Sequence, residues 1–367
     1  MFTQISQASG RSFAQSLRKR VLASDLVDLL TGPHGVDRYT ELVAPTWTIG
    51  EARAKVVDVR RSTPRSVTLT LAPNQTFTST YSVKAGQYVN LTVDIDGRRH
   101  TRCYSPANAE GRPNLELTIG LHDGGLVSTY LYEHARRGMV VGLAGVGGDF
   151  VLPEQRPRRI LFVSGGSGIT PVMAMLRTLV AEGHRGEIAF VHYARSPQEA
   201  SYREEIAAYE NQRRVRVLHG YTRSGAGDLV GSFGPEHLAT AMRSPDVVFV
   251  CGPSTLVQAV QQHCENVYTE SFVPPVFEPS ANPSGGRITF SNSGIDVTDD
   301  GRSLLEQAES AGLTPQNGCR MGICHTCTRR KTAGTVRNLT TGSVSTGPGE
   351  DVQICVSVPV GDVELAL

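Results

Sequence analysis

Apolar positions along this chain change their period twice. From 52 to 153 they alternate with polar ones in short runs broken by glycine and proline, as at 56–59 (VVDV), 66–71 (SVTLTL), 86–93 (GQYVNLTV) and 115–119 (LELTI). That pattern predicts the half-buried strands of an antiparallel β-barrel. From 159 the runs become continuously apolar: RILFVS at 159–164, IAFVHY at 188–193, VRVL at 215–218 and VVFVC at 247–251. Helical stretches separate them, the first at 172–182 and closed by Gly183. Strand and helix in alternation predict an α/β parallel sheet with ligands at the carboxyl ends of its strands. From 286 short alternating runs return, at 287–290 (RITF) and 295–298 (IDVT), joined by Ser-Asn-Ser-Gly294 as in a β-hairpin. Ser303-Leu-Leu-Glu306 is then a capping box opening a helix with Leu304, Ala308 and Ala311 on one face, ended by Gly312. The last segment parses as a compact α+β β-grasp.

The chain therefore reads as multidomain: a helical extension over 1–50, the barrel over 51–155, the α/β domain over 156–273, a linker over 274–285 and the β-grasp over 286–367. Its 367 residues, 39% hydrophobic, suffice for two or three cores. A net charge of +1 lacks the basic excess of a nucleic-acid binder. No apolar run approaches the roughly 18 to 20 residues of a spanning helix. Seven cysteines with no visible secretory signal fit a reducing cytoplasm. The expectation is a cytoplasmic monomer, at most peripheral to the inner face of a membrane.

Chemistry concentrates first on four of the cysteines. Cys319, Cys324, Cys327 and Cys355 stand in the C-x4-C-x2-C…C spacing that holds a plant-type [2Fe-2S] cluster. Three ligands come from one loop rich in small residues, whose backbone can wrap an inorganic core and offer amides to its sulfurs. The fourth lies in an apolar run, 352–358 (VQICVSV), that reads as a strand. Four thiolates also suit structural zinc. Zinc sites usually pair two C-x2-C-like knuckles, however, and here the fourth cysteine stands alone, so the spacing favours the cluster.

In the α/β region, Gly165-Gly-Ser-Gly-Ile-Thr-Pro171 joins the first strand to its helix. Glycines let backbone approach a pyrophosphate, and a helix N-terminus presents free amides to it. This is not the G-x-G-x-x-G fingerprint, yet a second strand end carries Cys251-Gly-Pro253, and the two together point to a nucleotide. In the barrel region, Arg102-Cys-Tyr-Ser105 sets a cation, an aromatic ring and a hydroxyl at one strand end. Gly124-Gly-Leu-Val-Ser128 opens a helix that continues to His134. A cation with a helix N-terminus suits a second pyrophosphate, and a tyrosine can stack on a flat ring.

In order and spacing, Arg102-x-Tyr-Ser105, Gly125-x-x-Ser128, Gly165 to Pro171 and Cys251-Gly-Pro253 resemble the ferredoxin–NADP reductase superfamily. With the ferredoxin-like module behind them, the resemblance covers about 52 to 367 and is nearest to bacterial flavin reductases that feed oxygenases and acyl-CoA desaturases. Thr101-Arg-Cys-Tyr-Ser-Pro-Ala107 is similar to the desaturase-associated group. The resemblance implies that Arg102, Tyr104 and Ser105 grip a flavin, with Thr118 beside them. It implies that Gly125, Leu126, Val127 and Ser128 hold the pyrophosphate of FAD; the FMN-using phthalate-type reductases lack this helix start. It further implies a nicotinamide nucleotide at Gly165, Gly166, Ser167, Gly168, Thr170 and Pro171, with Cys251, Gly252 and Pro253 near the nicotinamide. Glu270 and Phe272 correspond to a Glu-x-Phe end bordering the flavin, so Ser105, Cys251 and Glu270 are the candidate catalytic residues. Arg195 and Arg203, after the second strand, favour NADPH over NADH, since a cation suits a 2′-phosphate.

The function implied is electron transfer from NADPH to FAD to [2Fe-2S] and on to a partner protein. A hydride carries two electrons and the cluster takes one, so the flavin is the converter. The acceptor expected is a membrane acyl-CoA desaturase, with an alkane hydroxylase, a Rieske oxygenase or a cytochrome P450 as alternatives. A flavin and iron–sulfur redox sensor is a second class, disfavoured by the complete nicotinamide site. Near the N-terminus, Phe13, Leu17 and Val21 fall at i, i+4 and i+8 among Arg11, Arg18, Lys19 and Arg20. This basic amphipathic helix could pack on the flavin domain, touch a partner or membrane surface, or serve as a transit peptide.

Overall fold

The computed structural model describes residues 46, 48, 51–225, 227–272 and 286–367. The expected N-terminal helix and the linker lie outside the described residues. Three sheets follow one another along the chain.

The first contains β1 (Arg53–Thr63), β2 (Ser66–Pro73), β3 (Tyr88–Ile95), β4 (Arg98–Tyr104), β5 (Leu115–Gly120) and β6 (Val140–Gly147). They hydrogen-bond in the order β4-β3-β6-β1-β2-β5, every neighbouring pair antiparallel. Val67, Leu69, Leu71, Val89, Leu91, Leu117 and Leu143 fill one core, as the alternation requires. Helix α1 (Gln75–Thr80) is capped by the Asn74 side chain, and α2 (Leu126–His134) buries Val127, Ser128 and Leu131. Strand β6 is a strand that the hydrophobic pattern alone does not mark, because its sequence, VVGLAGVG, is interrupted by glycine.

The second sheet is wholly parallel, in the order β11-β10-β7-β8-β9. It comprises β7 (Arg159–Gly165), β8 (Glu187–Ala194), β9 (Arg216–Tyr221), β10 (Val247–Cys251) and β11 (Val267–Glu270). Helices α3 (Ile169–Glu182), α4 (Arg203–Asn211), α5 (Pro235–Ala241) and α6 (Ser254–His263) connect them. Apolar clusters cover both faces, Phe162, Phe190 and Phe249 on one and Val163, Val191 and Val250 on the other. That double burial is why β7, β8 and β10 read as continuous apolar runs. Glu270 therefore ends a fifth strand, which the sequence hides because β11 is a four-residue edge strand with no fully buried position.

The third sheet runs β13-β12-β17-β14-β15, with β16 also on β14. Its strands are β12 (Arg287–Phe290), β13 (Ile295–Thr298), β14 (Thr328–Asn338), β15 (Val344–Ser345), β16 (Glu350–Gln353) and β17 (Ser357–Leu365). The pairing of β12 with β17 is parallel and the others are antiparallel. Helix α7 (Leu304–Ser310) carries the expected capping box, Ser303 and Glu306 bonding each other's backbone amides, and packs Leu304, Leu305 and Ala308 on the sheet. Contrary to expectation, residues 352–358 are not a continuous strand. Ile354 and Cys355 form a turn between β16 and β17, and the Val356 amide donates to the Gln353 carbonyl at 3.2 Å. Ile354, Cys355 and Val356 are all buried, which an extended strand with alternating faces does not achieve on a one-sided core.

Candidate functional site

The glycine turn after β7 and the Cys-Gly-Pro end of β10 interlock. Register places Cys251 beside Ser164 on one side and Glu270 on the other. A Cβ at Gly165 would stand 2.9 Å from both Pro253 and Leu256, and one at Gly252 would stand 3.0 Å from the Gly165 nitrogen. Only glycine lets the two turns meet. Above them a cavity of about 850 Å³ is lined by Gly165, Gly166, Ser167 and Gly168, by Gly252 and Pro253, and by Phe272. Thr118, Arg65 and His122 close it from the first sheet, and Arg195 and Arg223 from the ends of β8 and β9. Helix α3 points its N-terminus at this space, with Gly168 as N-cap and Thr170 and Pro171 buried in the first turn. Among the described residues no side chain caps that terminus; Pro171 has no N–H and the Ile169 amide already donates to the Gly166 and Ser167 carbonyls, so the terminus favours an anion chiefly through its dipole. The volume, the glycine cradle and the guanidinium groups fit a dinucleotide.

Arg195 approaches Glu199 at 3.7 Å, and the Arg223 amide donates to the Arg195 carbonyl at 3.0 Å, so β8 and β9 deliver their two arginines side by side. Arg203 does not line the cavity; it lies at the start of α4, beside Tyr221.

On the first sheet, β4 ends in Arg102, Cys103 and Tyr104, and Ser105 follows. The Ser105 hydroxyl is buried without a hydrogen-bond partner among the described residues, as is Oε2 of Glu270. Burial raises the Glu270 carboxyl to about 8 and raises the Cys251 thiol. Orphaned polar atoms of this kind are what a bound ring with polar edges would satisfy. Arg102 is half-buried and donates from Nη1 to the Thr101 carbonyl at 2.8 Å. At the start of α2 Gly125 is the N-cap, and the Ser128 hydroxyl folds back onto its carbonyl at 3.1 Å. A Cβ at Gly125 would strike that hydroxyl at 2.6 Å. The half-exposed Leu126 and buried Val127 complete this turn. Its uncapped amides suit a diphosphate.

The sequence does not mark what joins the two sheets. Arg177, on α3, bonds Glu116 on β5 at 2.8 Å, Glu205 on α4 at 2.6 Å and the Ala107 carbonyl at 2.8 Å. Its guanidinium lies 5.0 Å over the Tyr202 ring, and the Tyr202 hydroxyl meets Thr118 at 2.5 Å. Thr118 is thus tied across the seam to Tyr202 and within its own sheet to Thr68.

In the third domain the four cysteines of the motif are buried and close into two pairs. The Cys319 amide donates to Cys324 Sγ at 3.2 Å, and the Cys324 and Met321 amides donate to Cys319 Sγ at 3.4 and 3.3 Å. A hydrogen bond with Cys355 holds the Cys327 thiol down to about 7. Arg320 and His325 adopt positive φ (56° each), as does Gly322 (76°), a loop path that turns thiols and amides inward together. Two thiol pairs with amides aimed at their sulfurs are the donor set of a two-iron cluster, one pair for each iron. Next to the first pair sits a residue from another domain: the sulfurs of Cys103, Cys319 and Cys324 lie within 4.8 Å of one another.

Comparison with known proteins agrees with this division. Residues 64–152 match the oxidoreductase FAD-binding domain, 162–262 the oxidoreductase NAD-binding domain and 288–360 the 2Fe-2S iron-sulfur cluster binding domain. An NADPH oxidoreductase of Mycobacterium tuberculosis is 34% identical over 92% of this chain and 90% of its own length. A glycine betaine monooxygenase reductase subunit of Pseudomonas aeruginosa is 29% identical over 87% and 96%. Among solved structures, phthalate dioxygenase reductase shares the fold with a TM-score of 0.57 at 21% identity, over 87% of this chain and 98% of that one. Three matched domains in this order, with a relative above 30% identity along nearly the whole chain, place the protein in the ferredoxin–NADP reductase-type family of NAD(P)H-dependent flavin and [2Fe-2S] electron-transfer oxidoreductases.

Proposed function

We propose that this chain is the reductase component of an oxygenase system, oxidising NADPH and delivering single electrons through FAD and its cluster to a separate iron-containing oxygenase. The bound groups supply hydride acceptance and one-electron transfer; the residues below hold and shield them. Arg102, Tyr104 and Ser105 hold the flavin, Gly125 to Ser128 its diphosphate, and Gly165 to Pro171 the nicotinamide nucleotide. Cys251, at the end of β10, and Glu270, at the end of β11, border the reacting rings. Their burial keeps the carboxyl protonated at neutral pH, with a proton to donate.

The preference for NADPH rests on one observation: Arg195 and Arg223 line the cavity together. Two guanidinium groups there suit a 2′-phosphate. Arg203, also expected in this role, now stands outside the cavity lining. Glu199 shares that lining and holds Arg195 loosely until a phosphate competes for it.

An oxygenase acceptor is supported by the monooxygenase reductases among the relatives and by a component of the Escherichia coli 1,2-phenylacetyl-CoA epoxidase, 26% identical over 74% of this chain. A membrane acyl-CoA desaturase is the second reading, favoured by the resemblance carried by 101–107. Among the described residues no helix is long and apolar enough to cross a membrane.

The test is steady-state kinetics with both nucleotides on the wild type and on Arg195→Ala and Arg223→Ala. Each substitution should raise KM for NADPH about tenfold, the value of a charge-assisted hydrogen bond, and leave NADH unaffected. Equal losses with both nucleotides would remove the case for NADPH. Reduction of candidate oxygenases and desaturases by the pre-reduced protein then distinguishes the acceptors.

A further inference from the structure

The cluster loop is joined to the flavin sheet at three points. The Tyr88 hydroxyl, at the start of β3, donates to the Ile323 carbonyl at 2.9 Å, although the two are 235 residues apart. The Tyr88 ring is buried against Gly147 and Gly148 of the first domain, where a Cβ at Gly147 would stand 2.6 Å from its hydroxyl oxygen. On the adjacent strand Cys103 directs its sulfur at the first thiol pair, within 4.8 Å of Cys319 and Cys324, while it donates to Asn90 Oδ1 at 3.0 Å. Gly318, next to the first ligand, approaches the backbone of β4 so closely that a Cβ would lie 3.3 Å from the Thr101 carbonyl oxygen. Thr101 also accepts from Arg102, so the strand that carries Arg102 is the strand the cluster loop touches.

We propose that Tyr88 and Cys103 are positioning residues that dock the cluster loop on the flavin sheet with the Cys319 and Cys324 side facing inward. Tyr88 lies outside the binding motifs, and Cys103 is the unassigned x position of Arg102-x-Tyr-Ser105. These contacts among the described residues are polar: one hydrogen bond to a carbonyl, one approach between thiols and the close passage of Gly318 by the Thr101 carbonyl. Such a contact holds one orientation while remaining easy to break, as required of a domain that must also present its cluster to another protein. It also sets the direction of electron entry. The Cys319 and Cys324 pair stands against β4, while Cys327 and Cys355 pair on the other side of the loop, next to the core of their own domain. This dock is independent of which acceptor lies downstream.

Thiol chemistry tests the dock without reference to turnover. In the full chain carrying Cys319→Ser and freed of iron, Cys324 remains beside Cys103. Their sulfurs start within 4.8 Å of each other, and a disulfide needs about 2.0 Å. Diamide removes two electrons and two protons from the thiol pair and becomes the hydrazine as the S–S bond forms. Peptide mass spectrometry should find Cys103 joined to Cys324, and Cys103→Ser should abolish the product. Cys324 found only with Cys327 or Cys355 overturns the proposal.

Should that variant fail to fold, alkylation of the cluster-loaded protein decides the matter. N-ethylmaleimide should label Cys103 about fivefold faster in Tyr88→Phe than in the wild type, the change that loss of one hydrogen bond makes in a docking equilibrium. Cys264, half-buried in the second domain, should react at an unchanged rate and so reports any general loosening. Equal rates at Cys103 in the two proteins overturn the proposal.

Discussion

Arg177 and Glu116 meet at 2.8 Å across the seam between the first and second sheets, one on α3 and the other on β5. With Glu205 and the Tyr202 ring, this pair fixes how the turn after β7 faces the flavin sheet. The cavity depends on that angle, because its walls come from both sheets.

Arg177→Ala should accordingly destabilise the chain by about 3 kcal/mol, since it leaves two half-buried carboxylates without their partner. Thermal unfolding measures the loss. Glu116→Gln should cost less, and a double-mutant cycle should return a coupling of about 1 kcal/mol or more. Strict additivity would mean the seam is held by other contacts.

Gly168 permits the closest backbone approach in the nucleotide site, for a Cβ would stand 2.2 Å from the Cys251 carbonyl oxygen. Gly168→Ala should force the start of α3 away from β10 at a cost of about 1–3 kcal/mol. Nucleotide affinity should fall about tenfold or more in equilibrium titration, with the visible spectrum of the cluster unchanged. Gly166 has positive φ (55°), and a Cβ added there would meet nothing within 4 Å. Alanine there should act through backbone strain alone and cost about 1 kcal/mol.

Glu270 supplies a pH signature. Burial raises its carboxyl from 4.5 to about 8, so the folded state holds a proton that the unfolded chain releases. The contribution of Glu270 to stability should be fully present below about pH 4.5 and be lost as pH rises through about 8. The slope should approach about 1.4 kcal/mol per pH unit in that window. Glu270→Gln removes the titration, so its melting temperature should fall less than that of the wild type between about pH 5 and pH 8. Parallel curves would show that Glu270 is ionised in the folded protein.

The candidate cluster ligands were legible in the sequence because coordination imposes both residue type and spacing. The glycine turns were legible for a similar reason, since only one residue type permits the close approaches at 165, 168 and 252. What stayed hidden depends on pairs distant in the chain. Arg177 and Glu116, or Tyr88 and Ile323, carry no local pattern, and each residue alone reads as a surface charge or a strand residue. The turn at Cys355 was masked because flanking apolar residues suggest a strand, whereas the thiol must face the cluster loop while Ile354 and Val356 enter the core. Arg203 looked equivalent to Arg195 along the chain, and only the path of α4 separates them.

Cys324→Ser separates the two halves of the electron path. Iron, acid-labile sulfide and cytochrome c reduction should be lost, while flavin reduction by NADPH persists at a comparable rate. A folded, flavin-loaded variant that loses both activities equally would refute the order in which the groups act.

Whether electrons pass from NADPH through the flavin to the cluster is decided by an anaerobic titration of the wild-type protein with NADPH, following flavin bleaching and the EPR signal of the cluster in the same sample. Bleaching should come first, and a reduced [2Fe-2S] signal should then grow to one spin per chain. A bound flavin that NADPH does not reduce, or a flavin that bleaches while the cluster stays oxidised, would rule that path out.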